Sequence, residues 1–527
     1  MSQSNFHGKT GNEPKKSIPL KLLSAILAIF MLAGAFVACT KEPDDPTASD
    51  GSASVTVPPD SGASGDASAS ASASAEVPET KEINAKNVLG ERDLGGQTIT
   101  FYARDYSGIW RADIVSYGME GETINDAIYR RTKTIEEEYK VKLEMLPSGK
   151  QSFYSDAIRY IESGDSKSTF DVLLTSLRDA AYLAPRGVIL NLKKVPNISL
   201  DKDYWSPFLS EQLSIDNRVY FAVGEISAVD NMSVRCVFFN KTMAKDLNIP
   251  DLYRTVNDYE WTYEKMFELA ESALHDDGNG TYNLKDEGDT FGIVAQAQLG
   301  FILLMGSGER VISKDAQDAP MISLGSEKSV QIVDLLTKNI NGKPAVQLTG
   351  DNDVIGTFTA GRALFMPEVL QHAETMRLSE SYDIDFGILP MPMYDKEQKK
   401  YIQYSDAYCP NFYSIPNTTK GGKLDDTTFI LEALALESVG TLTPAYYDTC
   451  LKTRYSMDYD SSRMIDIILS NYSIDLCDVY LDQWGGFRTL VQNCIRNGSS
   501  ITNLVRMNGR PVKIKIAETL AQIKELP

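Results

Sequence analysis

The sequence predicts an α/β fold built in two lobes, and three observations predict it. Beyond residue 80 about 445 residues remain, more than one hydrophobic core usually holds. That part alternates strand signals with helix signals. Its shortest strands read as near-continuous apolar runs, the pattern of parallel sheets covered by helices on both faces.

Taken in order, "QTITFYARD" (97–105) is rich in β-branched and aromatic residues and reads as a strand, followed by the loop "YSGIWRAD". Ile124, Ile128, Ile135 and Tyr139 recur near helical spacing through 123–139, with charges between them. "KVKLEML" alternates as a second strand, "FYSDAIRYIESG" reads as a helix closed by Gly164, and "FDVLLTS" is a short strand apolar on both faces. Strand, helix, strand, helix, strand describes a parallel sheet.

The first 80 residues are of another kind. Lys15, Lys16 and Lys21 precede an apolar run, Leu22 to Ala38, of 17 residues, short of the roughly 20 that span a bilayer. A basic region, an apolar region and small residues before Cys39 have the layout of an export signal. Ala35-Phe36-Val37-Ala38-Cys39 resembles the bacterial lipobox, with Phe36 in place of the usual leucine. The resemblance implies cleavage before Cys39 and acylation of its sulfur, which would hold the mature chain in a membrane on the extracytoplasmic face. An ordinary signal peptide with Cys39 incidental and an uncleaved anchor are the alternatives. From Thr40 to Thr80, 25 of 41 residues are Ser, Ala, Gly or Pro and none is aromatic. Such a segment cannot offset its ordering entropy by apolar burial and is expected to act as a tether with a reach of about 35 Å.

The formal charge is −20, and removal of a leader of net +3 would take it to −23. So acidic a surface repels phosphate backbones, and nucleic acid is not expected as a partner. Five cysteines besides Cys39 are widely spaced and form no CxxC motif; free buried thiols are expected, with room for one disulfide.

Several ordered segments carry a resemblance. "FDVLLTSLRDAAYLAPRGVILNL", "NRVYFAVGEISAVDNMSVRCVFFNKTMAKDLNIP", "YEWTYEKMFELAESA", "GTFTAGRALFMPEV", "YDIDFGILPMP" and the final "WGGFRTLVQNCIRNGSSITNLVRMNGRPVKIKIAETLAQI" are similar, in this order, to the extracellular solute-binding proteins of ABC importers. The group meant is the sugar-binding one that includes maltose-binding protein. The resemblance implies a two-lobe periplasmic-binding-protein-like fold (type II) with a ligand cleft between the lobes. It also implies a carbohydrate ligand, an ABC permease as partner, a monomer and no cofactor. It places crossings between lobes near 223–231, near 403–409 and within 455–482. The expected organisation is a signal at 1–38, a tether at 39–80, lobe one at 90–230 plus 405–455, and lobe two at 231–404 plus 456–527.

Sugar recognition needs aromatic faces for C–H surfaces and paired polar groups for hydroxyls. The expected ligand contacts are Tyr106 and Trp110 after the first strand, Ser176 after "FDVLLT", Asp230 in the first crossing, Glu368 after "ALFMP", Asp406 in the second crossing, and Trp484 before the penultimate helix. Arg178, Glu225, Ser227, Asn231 and Tyr408 are further candidates, while Trp205 and Trp261 read as core.

"HDDGNGTYNLKD" (275–286) resembles a Ca²⁺ loop but begins with His275 and ends with Asp286, so no metal is expected. "GTFTAGRA" lacks the Lys-Ser/Thr of a phosphate loop. With three histidines and neither HExxH nor G-x-S-x-G, zinc and serine hydrolase chemistry find no support. The alternatives are a surface glycosidase or lyase using a carboxylate pair, and a binding-only sensor lipoprotein.

Overall fold

A computed structural model describes residues 84–104, 114–148, 153–164, 170–455 and 458–527. The lipid-attachment candidate Cys39 and the ligand candidates Tyr106 and Trp110 lie outside the described residues. In chain order the strands are β1 (Thr98–Ala103), β2 (Lys142–Pro147), β3 (Val172–Thr175), β4 (Arg235–Asn240), β5 (Phe291–Gln296), β6 (Ile312–Lys314), β7 (Pro320–Ile322), β8 (Val346–Thr349), β9 (Ala363–Val369), β10 (Phe386–Leu389), β11 (Gln403–Tyr404), β12 (Phe412–Ser414) and β13 (Tyr472–Ser473).

They form two main sheets. The first runs β12-β3-β1-β2, with β1 parallel to both β2 and β3 and β12 antiparallel at one edge. The second runs β10-β4-β9-β5-β8, with β5 parallel to β8 and β9, and β4 antiparallel between β9 and β10. Every residue of β3 and β9 is buried, as expected of strands covered on both faces. Glu368, expected just beyond its strand, lies inside β9.

The helix Thr123–Tyr139 shows why the first half of the chain was readable. The Glu122 side chain accepts from the N–H groups of Ile124 and Asn125, and the helix stops at Lys140 in left-handed conformation (φ 51°). Its apolar stripe of Ile124, Ala127, Ile128, Ile135 and Tyr139 is buried. Arg131 lies on the same stripe. Its guanidinium donates to the carbonyls of Ile114 (2.9 Å) and Ile226 (2.7 Å) and to the Ser438 hydroxyl (2.8 Å), tying the first sheet's helices to the chain leaving that sheet.

The chain passes between the sheets repeatedly. Ala222 bridges Tyr413 on the first sheet, Val234 bridges Ser405 beside the second, and β11 runs parallel to β13. Gly224 is required on the first passage, because a Cβ there would lie 2.0 Å from the Tyr204 carbonyl oxygen. The described residues all fall within one compact unit, and none of their helices is long and apolar enough to cross a membrane. The five described cysteines are not joined in disulfides; Cys409 is partly exposed and the others are buried. Trp205 and Trp261 are buried, donating to Glu432 and to the Pro390 carbonyl.

Candidate functional site

Two polar assemblies occupy the region where the chain passes between the sheets. One is a cavity of about 350 Å³, within the usual size of small-ligand pockets. The first passage supplies Glu225, Ser227 and Asn231, and three successive helical segments supply Thr443, Tyr446, Tyr447 and Asp466. The helix Ala445–Tyr455 that carries both tyrosines is π-helical over 11 residues. Such widened turns are rare and recur at functional sites. It packs against the helix Thr123–Tyr139 of the first sheet and against His372–Leu378 and Tyr459–Ser470 beside the second.

The cavity wall is electronegative. Glu225 accepts from the Thr443 hydroxyl, and burial pushes its carboxyl above the usual range against that bond. Burial, then Asp230, then Glu225 push the neighbouring Tyr472 hydroxyl well up, and Tyr472 donates to Asp230 at 3.3 Å. Burial opposes ionisation of Asp466, but hydrogen bonds from Lys452 and Tyr447 hold it below the usual carboxylate range. Hydroxyl, amide and carboxylate groups beside tyrosine rings can take sugar hydroxyls in pairs while a ring covers the C–H face.

The other assembly is a set of paired charges. Arg235 donates to Glu368 at 2.8 Å and lies 3.6 Å from Asp406, all three almost fully buried. Asp406 also accepts from the N–H groups of Tyr408 and Cys409, so it shapes the turn after β11. Asp478 lies between Arg178 (2.6 Å) and Arg488 (3.5 Å) and accepts from Tyr404 and from the Ala407 N–H. Burial opposes its charge, yet the two guanidiniums hold its carboxyl below the usual range. Arg104 and Arg178 both stand over the Tyr408 ring, at 5.6 and 5.7 Å. Tyr182 stacks on Tyr154 at 4.0 Å and donates to Asp482.

The expected ligand residues are therefore distributed unevenly. Asp230 sits beside the cavity, next in sequence to Asn231, with its carboxylate turned to Tyr472. Ser176 caps the helix Leu177–Leu183 by accepting from the Asp179 N–H, and its hydroxyl donates to the Asp179 carboxylate. Glu368 and Asp406 belong to the paired assembly. Trp484 is withdrawn from the surface: it is fully buried, stacked on Tyr480 at 4.7 Å, and its indole N–H donates to Thr519 of the last helix. A large aromatic with one donor gains most where its area is covered and its N–H finds a hydroxyl, and the last helix supplies both. Sequence reasoning missed Thr443, Tyr446, Tyr447 and Asp466. The polar-aromatic run Thr443-Pro444-Ala445-Tyr446-Tyr447, directly after a long buried helix, was the available signal.

At 276–289 the carboxylates of Asp276, Asp277 and Asp289 offer oxygens within 4.8 Å of one another. They already accept loop N–H groups from Gly278, Gly280, Asn279, Asp277 and Asn283, bonds that close the loop.

No family model and no curated protein sequence matches the chain. Solved structures do match it. A cyclic α-maltosyl-1,6-maltose-binding protein of Arthrobacter globiformis superposes with a TM-score of 0.53 at 11% identity, over 80% of this chain and 98% of that one. An ABC substrate-binding protein of Listeria monocytogenes in complex with cycloalternan gives 0.51 at 10% identity, over 80% and 99%. The maltose-binding protein of Listeria monocytogenes in complex with maltose gives 0.51 at 13%, over 80% and 98%. The chain thus has the two-lobe α/β fold of the sugar-binding proteins of ABC importers.

Proposed function

We propose that this protein is an extracytoplasmic receptor, anchored by lipid at Cys39, that captures a carbohydrate between its lobes and delivers it to an ABC permease. The observation that carries this reading is a tyrosine- and carboxylate-lined cavity at the first passage between sheets, in a fold shared with sugar receptors over four-fifths of the chain. The apolar run before Cys39 and the Ser/Ala-rich composition of residues 40–80 accord with it. Hinged lobes would close on the ligand, since both contribute to the wall. Binding occurs without turnover, which separates the receptor from a glycosidase.

The test is a thermal-shift screen of the purified protein against mono- and oligosaccharides, because a ligand of the folded state alone raises its stability. A saccharide that raises the melting temperature and is recovered intact after a day supports the receptor. Steady release of new reducing ends overturns it in favour of an enzyme.

A further inference from the structure

We infer that the outward face of the last helix (Ile501–Glu525) docks on anionic phospholipid and so lays the body of the protein on a membrane surface. None of its residues lines the cavity at Glu225, so this contact is additional to ligand capture and stands or falls apart from it.

The chain is strongly acidic, with 72 Asp and Glu among 527 residues, about one in seven. Between Asp482 and Glu518 there is none across 35 residues, where that frequency would place about five. The same stretch carries Arg488, Arg496, Arg506, Arg510, Lys513 and Lys515. Arg488 turns inward to Asp478. The other five are exposed, and among the described residues none of them meets a carboxylate. Arg496 and Arg506 donate to the side-chain carbonyls of Asn497 and Asn503. The end of the same helix differs, since Lys524 there lies 3.9 Å from Asp216.

The helix gathers most of these cations on one side. At 3.6 residues per turn Arg506, Met507, Arg510, Lys513 and Ile514 share a face. The opposite face, with Gly509, Val512, Ile516 and Thr519, is buried against the helix Phe487–Asn497 and β7. Met507 is 71% exposed and Ile514 51%. A single exposed apolar side chain is ordinary, but two of them two turns apart among unpaired cations form the pattern of an interfacial helix. Long cationic side chains reach headgroup phosphates while the apolar tips meet the acyl boundary. The outer side of a helix is convex, so a plane of headgroups can meet it along its length, whereas a small anion finds no recess. The remainder of the chain is acidic and is repelled by an anionic surface, so the field of the whole protein turns this face toward it.

The test mixes the purified full chain at low salt with vesicles of phosphatidylglycerol and phosphatidylcholine, or of phosphatidylcholine alone. Lysines are acetylated briefly with a neutral reagent and read by mass spectrometry, with the exposed Lys399 and Lys400 as controls. On anionic vesicles, acetylation of Lys513 and Lys515 should fall roughly fivefold or more relative to the controls, since one cation near such a surface changes partition about fivefold. Labelling should recover at about 0.5 M salt, where surface charges are screened. Arg506→Gln combined with Arg510→Gln should restore most of the labelling, with an unchanged melting temperature reporting intact folding. Equal labelling of Lys513 and Lys515 on both kinds of vesicle overturns the inference, as does equal protection of all four lysines. Protection by polyglutamate in solution but not by vesicles overturns lipid in favour of an acidic protein partner. Protection that persists in the double variant or at high salt overturns the role given to charge.

Discussion

The paired charges around Arg235 and the cavity around Glu225 lie in the same part of the fold, yet they hold charge in opposite ways. Around Arg235, two carboxylates and one guanidinium are buried together and offset one another's charge, so the assembly ties the passages together. Around Glu225 the carboxylate has a hydroxyl for company and open volume before it. Burial alone does not separate structural from ligand-facing carboxylates; the presence of a partner and of space does. By that criterion Glu368 and Asp406 engage a buried cation, and Glu225 faces open volume.

The comparison is broken most severely by removing a buried partner. Arg235→Leu should destabilise the protein by about 3–5 kcal/mol, because it leaves two buried carboxylates without a cation. Trp484→Ala should cost a similar amount, about 3–5 kcal/mol, by emptying a core position. Both are read by denaturant unfolding, and a loss under about 1 kcal/mol in either would remove that residue from the scaffold. Glu225→Gln, by contrast, should change stability by about 1 kcal/mol or less while altering ligand affinity.

A finer contrast concerns pH. Burial, with Arg235 adding to it, holds His372 below the usual histidine value, against the opposite pulls of Glu368 and Asp351. A depressed folded value means stability that is present above the unfolded value near 6.5 and lost as pH falls toward the folded one. Asp478 is also depressed, but its loss comes only at the lower pH where carboxylates titrate. Glu225, Asp179 and Asp475 are raised and act in the opposite sense, favouring the folded state on acidification. Between pH 7 and 5 the wild type should therefore lose more melting temperature than His372→Gln; equal slopes would rule out the histidine as a source. The smallest effect is expected at the exposed pair of Lys396 and Glu260, 2.8 Å apart, where Lys396→Ala should leave the melting temperature unchanged within error.

Much of the first sheet was legible. The helix at 123–139 appears at its expected bounds, and β1, β2 and β3 pair in parallel where the strand signals lay. Local periodicity and capping decide those elements, and both are written in neighbouring residues. The site was less legible. Glu368 was picked out as a carboxylate near a strand end, but its partner Arg235 lies 133 residues away, beyond any local pattern. Trp484 looked open because Gly485 and Gly486 follow it, whereas Thr519 of the last helix covers it. The π-helical turn at 445–455 has no local signature and arises where a helix must pack on elements of both sheets.

Backbone hydrogen exchange, with and without the saccharide that gives the largest thermal shift, tests the placement of the ligand site most directly. The account predicts that binding slows exchange in 225–231 and in 442–447, the two walls of the cavity. Protection confined to residues around Arg104, Arg178 and Tyr408, with 225–231 and 442–447 unchanged, would contradict it.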